Sequence, residues 1–239
     1  MKQYTKEQFT KDVVSGIIVA IIALPLSIAL ALASGEYVAL LDHDDLLEEH
    51  ALFEVVKWLA LHPDTDLIYT DEDKVTFDGG VYFQPHFKPD YNPELLRSNN
   101  YICHLLAVRR SLAKEAGGFS ADYDGAQDYD FVFRCTERAR EIVHVPRILY
   151  HWRCHRASTA ENPESKRYAF EAGLRALKAH YERLGVRAQV SHGAKPGMYV
   201  TRYERSCDPL VSVIIPNKDH TADLDRTIRS VLERTSYPR

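Results

Sequence analysis

The distribution of apolar and polar residues divides the chain into two unlike parts. Residues 13–35 are 23 consecutive positions without a charged side chain. A run of about 20 apolar residues is long enough to cross a bilayer as a helix, and a buried core helix is the alternative. We expect an apolar helix here, interrupted near Pro25 because proline cannot donate the helical hydrogen bond. We also expect this helix to project from the remainder of the chain without joining its sheet.

After residue 35 the pattern alternates between short apolar runs and longer amphipathic segments. The apolar runs predict strands over residues 37–41, 66–70, 143–150 and 210–215. The 3.6-residue periodicity predicts helices over residues 46–61, 128–140, 164–184 and 223–234, with a short one between Arg110 and Gly117. The third strand is expected at a sheet edge, because Pro146 has no N–H to donate. Alternating strands and helices predict an α/β sandwich.

Charge and cysteine content then exclude several classes of function. The chain has 30 Lys and Arg against 34 Asp and Glu, a formal net charge of −4. Such a balance gives no general attraction to a phosphate backbone, so we expect no nucleic-acid partner. The 4 cysteines are widely spaced and contain no CxxC pair, which argues against a disulfide framework and a structural zinc site.

A pair of acidic residues follows the first strand after the apolar run. Asp42 and Asp44 lie two positions apart where the strand is expected to end, at the sheet edge where open α/β sheets bind ligands. Two carboxylates placed in this way can share a divalent cation whose other ligands are phosphate oxygens. The alternative is a solvated acidic turn at a helix N-terminus.

Two further segments contain residues suited to catalysis. Asp128 opens a predicted helix and could act as a general base toward a hydroxyl group, with helix N-capping as the alternative. His151 and Arg153 lie in the segment YHWRCHR, which offers an imidazole for a metal and cations for a diphosphate. The HxxCH spacing within this segment could also be a zinc fragment, but no second ligand pair follows.

Taken together, several motifs resemble bacterial family-2 glycosyltransferases with two tandem catalytic modules, which build cell-surface polysaccharides such as O-antigen. The motifs are GEYVALLDHDDLLEEHAL, DLIYTDEDK, FKPDYNPELLRSNNYICHL, GGF, GAQDYDFVFR and ILYHWRCHRASTA. The resemblance implies a GT-A fold, a nucleotide-sugar donor and a glycan or lipid-linked acceptor. Gln127 stands where many relatives of the wider family have Glu.

The same resemblance implies roles for individual residues. It makes Asp128 the catalytic base and assigns a divalent cation, Mn²⁺ or Mg²⁺, to Asp42, Asp44 and His151. The donor diphosphate would be bound through Asp42, Asp44 and Arg153. We therefore expect Asp42, Asp44, Asp128 and His151 to face one cleft.

The resemblance also implies a domain organisation. Residues 1–35 resemble the start of a SulP-type anion transporter, residues 36–185 the C-terminal part of a GT-A domain, and residues 209–239 the start of a second module. Residues 186–208 are expected to be a linker. This arrangement implies a chimeric chain with an incomplete GT-A fold, lacking the opening strands that hold the donor's base, so that little or no turnover is expected.

A membrane-anchored transferase is the rival interpretation of the apolar segment. Residues 13–35 would then contact the inner face of the plasma membrane, with the rest of the chain in the cytoplasm. The charges conflict with this topology, because the lysines precede the apolar run and acidic residues follow it. Two other functions stay open: a fragment of an anion transporter, and a non-catalytic glycan-binding remnant that keeps an acceptor surface over residues 87–104.

Overall fold

The computed structural model describes residues 17–19, 30, 32–154 and 167–237. Its strands are β1 Ile17–Val19, β2 Tyr37–Leu40, β3 Leu46–Leu47, β4 Thr65–Thr76, β5 Tyr82–His86, β6 Leu106–Arg109, β7 Glu141–Cys154, β8 Ala188–His192 and β9 Tyr199–Tyr203. Its helices are α1 Ala51–Leu61, α2 Pro93–Ser98, α3 Arg110–Glu115, α4 Gln127–Thr136, α5 Arg167–Leu184 and α6 Thr221–Arg234. A single 3₁₀ turn over Ala121–Tyr123 precedes α4. The expected mixture of strands and helices is confirmed.

Seven of these strands form one mixed sheet in the order β1-β2-β6-β4-β7-β3, with β5 added to β4. Strands β4 and β7 pair in parallel along most of their length, whereas β6 runs antiparallel to both β2 and β4. The long strand β4 therefore lies at the centre, between β7 on one side and β6 and β5 on the other. The ends of β4 and β7 lie side by side, because Thr76 pairs with Cys154.

The hydrophobic core covers both faces of the sheet. Along β4, Leu67 and Tyr69 belong to one buried cluster and Ile68 to the other. This alternation follows from the strand geometry, which points successive side chains to opposite faces. Helices α4 and α5 contribute to the first cluster and α1 to the second, so the sheet is packed between helices on both sides.

Part of the apolar N-terminal segment belongs to the sheet. Ile17–Val19 forms β1 and pairs in parallel with residues 37–39 of β2, so the expectation of a helix separate from the sheet is wrong at these three positions. The physical reason is that a run of Ile and Val suits a buried strand as well as an apolar helix. Leu30 and Ala33 are buried in the core, and the other residues of the expected helix around Pro25 lie outside the described part. Within the described part, no helix is long and apolar enough to cross a membrane.

The helix expected over residues 46–61 begins later than its pattern indicated. Leu46–Leu47 pairs with Tyr150 and His151 as strand β3, and α1 begins at Ala51. An apolar segment suits a strand as well as a helix, and pairing with β7 makes Leu46–Leu47 a strand. The strand predicted over residues 66–70 is also longer than expected: β4 continues through the acidic residues 71–73 and buries all three carboxylates.

Strand β7 lies between β4 and β3, and the expected edge position holds only for part of its length. Strand β3 covers β7 only at Tyr150 and His151. Pro146 falls where the pairing with β4 shifts register, between Val145 and Ile148. A proline is tolerated there because a bulge leaves a strand position without a ladder hydrogen bond.

The residues expected to form a linker contain a β-hairpin. Strands β8 and β9 pair with each other, and the Tyr199 hydroxyl donates to the Phe170 carbonyl of α5 at 3.0 Å. Gly173 of α5 permits this approach, because a Cβ atom there would lie 2.0 Å from the Tyr199 hydroxyl oxygen.

Residues from 203 onward form a second compact unit. Its helix α6 agrees with the predicted helix. The predicted strand over residues 210–215 is wrong: the segment has no regular secondary structure, and Leu210 and Ile214 are 98% and 89% exposed. Its apolar composition suits a strand, but a strand needs a neighbour to bond its backbone groups.

Candidate functional site

The acidic loop that follows β2 is tied to β7 by a buried tyrosine. The Asp42 amide donates to the Tyr150 hydroxyl at 3.3 Å, and that hydroxyl donates to the Asp45 carboxylate. The amide of Arg153 donates to the other oxygen of Asp45 at 2.8 Å. Burial raises the pKa of both Tyr150 and Asp45. The loop is thus fixed by residues that lie more than 100 positions later in the chain.

A carboxylate and imidazole cluster lies at this loop. One ligand atom each from Asp42, Asp45 and His104 can be chosen so that all three lie within 4.8 Å of one another. Nε2 of His104 is 3.8 Å from Oδ2 of Asp42. Carboxylate oxygens suit Mg²⁺ and Mn²⁺, and an imidazole nitrogen adds affinity for transition metals. The donor set therefore fits a divalent cation.

His104 reaches the cluster from the segment before β6. Its ring stacks on Tyr150 with centroids 4.8 Å apart, and Nδ1 lies 3.3 Å from the Glu72 carboxylate. Burial lowers the pKa of His104, but Cys103 and Glu72 more than offset this and raise the pKa well above its usual value. For Glu72, burial raises the pKa, but contacts with His104, His86 and Lys88 hold it below its usual value.

Asp128 lies at the start of α4 and is electrostatically coupled to the cluster. It is the second residue of the helix, and Ala126 occupies the N-cap position, so the alternative of a capping role is wrong. Asn100 donates to the Asp128 carboxylate at 2.8 Å. Burial raises the pKa of Asp128, the nearby His104 lowers it, and the Asp42 carboxylate raises it. A carboxylate with a raised pKa is suited to accept a proton near neutral pH.

Arg153 acts on the acidic loop through the backbone. Its Nε donates to the Asp44 carbonyl and its Nη1 to the Phe77 carbonyl, both at 2.6 Å. The guanidinium therefore joins the acidic loop to the turn after β4. Diphosphate binding by Asp42, Asp44 and Arg153 stays a prediction.

His151 makes its contacts away from the carboxylate and imidazole cluster. Its Nδ1 lies 2.6 Å from Asp73 and its Nε2 lies 3.3 Å from Glu48. Tyr150 and His151 are successive residues of a strand, so their side chains point to opposite faces of the sheet. Among the described residues, the cluster of ligand atoms contains His104 and Asp45, and includes neither His151 nor Asp44. The metal role predicted for His151 and Asp44 stays a prediction.

Five residues of the site were not predicted individually: Asp45, Glu72, Lys88, Asn100 and His104. Asp45 directly follows the predicted pair, so the acidic run itself could have pointed to it. His104 and Asn100 lie in the motif NNYICHL, which was assigned only to an acceptor surface. No local pattern joins Glu72 to His104, because that contact depends on the order of the strands.

The chain is similar in sequence to segments of two longer proteins. No family model matches the chain. The chain is 46% identical over 212 residues to the uncharacterized protein y4gI of Sinorhizobium fredii, covering 87% of this chain and 23% of that protein. It is 39% identical over 208 residues to the O-antigen biosynthesis protein RfbC of Myxococcus xanthus, covering 87% of this chain and 16% of that protein.

A solved structure gives a further comparison. Residues 1–349 of TarS from S. aureus, in complex with UDP-GlcNAc, align with a TM-score of 0.48 and 19% identity, covering 64% of this chain and 45% of that one. The chain spans less than a quarter of the length of the two relatives above. It is thus similar over most of its own length to one segment of longer proteins, of which one is named for O-antigen biosynthesis.

Proposed function

We propose that this chain is part of a family-2 glycosyltransferase, which transfers a sugar from a nucleotide sugar to a hydroxyl group of a cell-surface glycan. The observation that carries the proposal is the common neighbourhood of Asp42, His104 and Asp128. It combines a cluster of ligand atoms that could hold a cation with a carboxylate whose pKa is raised by burial. The similarity to RfbC over 87% of the chain supports the same class of reaction.

In this reaction Asp128 is the general base. It takes the proton of the acceptor hydroxyl while the hydroxyl oxygen forms a bond to the anomeric carbon of the donor sugar. The bond between that carbon and the diphosphate breaks, and the nucleoside diphosphate leaves with the bonding electrons. Attack from the side opposite the leaving group inverts the configuration at the anomeric carbon. Asn100 holds the carboxylate by its hydrogen bond of 2.8 Å, which favours the ionised form that accepts a proton.

Asp42, Asp45 and His104 would hold the divalent cation, with the sequence-based assignment to Asp42, Asp44 and His151 as the alternative ligand set. When bound, the cation supplies positive charge that stabilises the leaving diphosphate. Tyr150 and Arg153 keep the acidic loop in place through the contacts described above. The assignment of residues 36–185 to one catalytic module and residues 209–239 to a second belongs to this proposal.

Release of nucleoside diphosphate tests the proposal. The purified chain is supplied with a panel of nucleotide sugars, Mn²⁺ or Mg²⁺ and a lipid-linked acceptor. Asp128→Asn removes the base while keeping the shape of the side chain, and we expect a loss of about 10²- to 10⁴-fold in rate. Asp124→Asn is the matched control, because this exposed carboxylate lies just before α4. In this respect the proposal differs from the expectation, drawn from the resemblance, of little or no turnover. Equal rates in the Asp128 variant and the unsubstituted chain, or no release with any donor, would contradict the proposal.

A further inference from the structure

Glu72 is a buried carboxylate of β4 that contacts His104, a member of the carboxylate and imidazole cluster. It is 9% exposed, and it contacts three cationic or titratable side chains. Its Oε2 lies 3.3 Å from Nζ of Lys88 and 3.3 Å from Nδ1 of His104, and its Oε1 lies 3.4 Å from Nδ1 of His86. Burying a carboxylate is costly unless it is paired and hydrogen-bonded. These contacts meet that requirement.

Lys88 holds the same region through hydrogen bonds to backbone carbonyls. Its side chain is fully buried, and its ammonium group donates to the carbonyls of Ile102, at 2.8 Å, and His104. One buried cation therefore binds both the Glu72 carboxylate and the main chain that carries the His104 ring. As a result, the ring is held at its Cα end by Lys88 and at Nδ1 by Glu72.

The far side of the His104 ring faces the acidic loop. With Nδ1 directed to Glu72, Nε2 lies 3.8 Å from Asp42 and 3.5 Å from the Cys103 sulfur. Stacking on Tyr150, with an interplanar angle of 17°, fixes the plane of the ring. Stacking thus fixes the plane of the His104 ring, and the contact with Glu72 fixes its direction, so that Nε2 is directed at the cluster.

A buried histidine elsewhere in the chain, His180, shows what a purely structural pairing looks like. His180 also has a carboxylate at Nδ1, since Glu137 lies 2.7 Å away. Its Nε2, however, accepts a hydrogen bond from Nε of Arg97 at 3.2 Å. Both ring nitrogens of His180 therefore contact groups that do not belong to a candidate cation site. Nε2 of His104 contacts the Cys103 sulfur, but it also lies 3.8 Å from the Asp42 carboxylate, which could share a cation with it.

We propose that Glu72 is a positioning residue, which holds Nδ1 of His104 so that Nε2 completes a cation site with Asp42 and Asp45. This inference rests on the proposed function, in which that cation stabilises the leaving diphosphate. A histidine that binds a metal through one nitrogen commonly donates the other N–H to a carboxylate, which fixes the ring and raises its basicity. Glu72 and His104 have this arrangement.

The donor set also determines which cation is preferred. Two carboxylates alone would suit Mg²⁺, which favours oxygen ligands and keeps several of its waters. An imidazole ligand shifts the preference toward a transition metal, so His104 should strengthen the binding of Mn²⁺ more than the binding of Mg²⁺. We therefore expect Mn²⁺ to bind more tightly than Mg²⁺, and we expect His104→Ala to reduce that difference.

Mn²⁺ binding to the unloaded chain tests the inference without any transferase assay. The fraction of free Mn²⁺ is followed by electron paramagnetic resonance for the unsubstituted chain, Glu72→Gln, His104→Ala and the double variant. We expect Glu72→Gln to weaken Mn²⁺ binding by about 10- to 100-fold, as loss of an outer-shell partner does. In the His104→Ala background the same change should have little effect, because Glu72 acts through His104. Glu137→Gln is the matched control and should leave Mn²⁺ affinity unchanged.

A second measurement needs no substitution at Glu72 and does not depend on the stability of that variant. Small amounts of Mn²⁺ should broaden the ring proton signals of His104 in the NMR spectrum and leave those of His180 sharp. Equal broadening of both rings, or an effect of Glu72→Gln that is the same with and without His104, would overturn the inference. If Mn²⁺ binds but the effects of Glu72→Gln and His104→Ala simply add, the positioning role alone is rejected. If the two effects are coupled but no sugar transfer is detected, the proposed function alone is rejected.

Discussion

The amide of Asp42 donates to the hydroxyl of Tyr150 at 3.3 Å, although the two residues lie 108 positions apart. The same hydroxyl donates to Asp45, so one phenol group forms hydrogen bonds at both ends of the acidic loop. The loop follows β2 and the tyrosine lies on β7, and these strands are separated in the sheet by β6 and β4. The shape of the candidate cation site therefore depends on a contact across the width of the sheet.

Replacing this phenol tests that dependence. Tyr150→Phe keeps the ring that stacks on His104 and removes the hydroxyl. We expect a loss of about 1–3 kcal/mol in the free energy of unfolding, because a hydrogen bond to a charged group is lost in a buried setting. We also expect weaker Mn²⁺ binding, since the acidic loop loses the hydroxyl that bonds to both of its ends. Urea unfolding and Mn²⁺ titration measure the two effects.

Tyr82→Phe is the control for this substitution. Tyr82 is 53% exposed and packs its ring against His151, a contact that phenylalanine keeps. This variant should match the unsubstituted chain in both measurements. Unchanged Mn²⁺ affinity in Tyr150→Phe would show that the loop keeps its shape without the hydroxyl.

The hydrogen bond from Asn100 to Asp128 makes a prediction about pH dependence. A donor to a carboxylate favours its ionised form, so Asn100→Ala should raise the pKa of Asp128 further. A general base works only when deprotonated, and the rate falls as the pH drops through its pKa. The acid limb of the pH profile of kcat/KM should therefore move to higher pH. Asn99→Ala, which changes the preceding residue, should leave the acid limb in place, and an unmoved limb in Asn100→Ala would count against the role of Asp128.

Local patterns predicted the acidic loop and the helix that carries Asp128. The apolar run of β2 followed by DHDD, and the amphipathic spacing of α4, are both contained within about a dozen residues. His104 and Glu72 could not be predicted in the same way, because they meet only where β4 and the segment before β6 become neighbours in the sheet. Asp45 differs from these two residues, because it lies within the acidic run itself, where the DxD spacing indicates Asp44 instead.

The wrong strand and helix assignments have a common physical origin. Apolar runs such as Leu46–Leu47, Ile17–Val19 and residues 210–215 have no inherent preference that decides between strand, helix and irregular structure. Pairing with β7 and β2 made the first two into strands. The third has strand-like composition and adopts no regular structure. In each case the outcome depended on the presence of a neighbour.

Asp66 makes a prediction about stability at acidic pH. It accepts hydrogen bonds from Arg140 and Arg109, at distances from 2.7 to 2.9 Å. The Arg140 side chain is the largest influence and, against the opposing effect of burial, lowers the pKa of Asp66 to about 2. Its ordinary value in an unfolded chain is about 3.9, so the ionised form stabilises the fold by about 2 kcal/mol.

This contribution is present above the unfolded pKa and is lost as the pH falls through the folded one. Between about pH 4 and pH 2, the free energy of unfolding should therefore decline more steeply in the unsubstituted chain than in Asp66→Asn. At pH 7 the variant should be less stable by about 2 kcal/mol. Asp64→Asn changes an exposed carboxylate 3.5 Å from Arg140 and should cost less than about 1 kcal/mol. Parallel pH dependences in Asp66→Asn and the unsubstituted chain would contradict the assignment.

Two lysine–glutamate pairs of equal length allow the effect of burial to be measured. Lys88 and Glu72 are 3.3 Å apart with the lysine fully buried, and Lys57 and Glu54 are 3.3 Å apart with the lysine side chain 45% exposed. Lys88→Met would leave the Glu72 charge without its ammonium partner and would remove the donor to two buried carbonyls. We expect a loss of about 3–5 kcal/mol for Lys88→Met and less than about 1 kcal/mol for Lys57→Met. Adding Glu72→Gln to Lys88→Met should recover part of the loss, because the buried negative charge is then removed. Chemical denaturation of the four proteins measures these differences, and equal losses in the two lysine variants would show that burial of the pair does not govern its contribution.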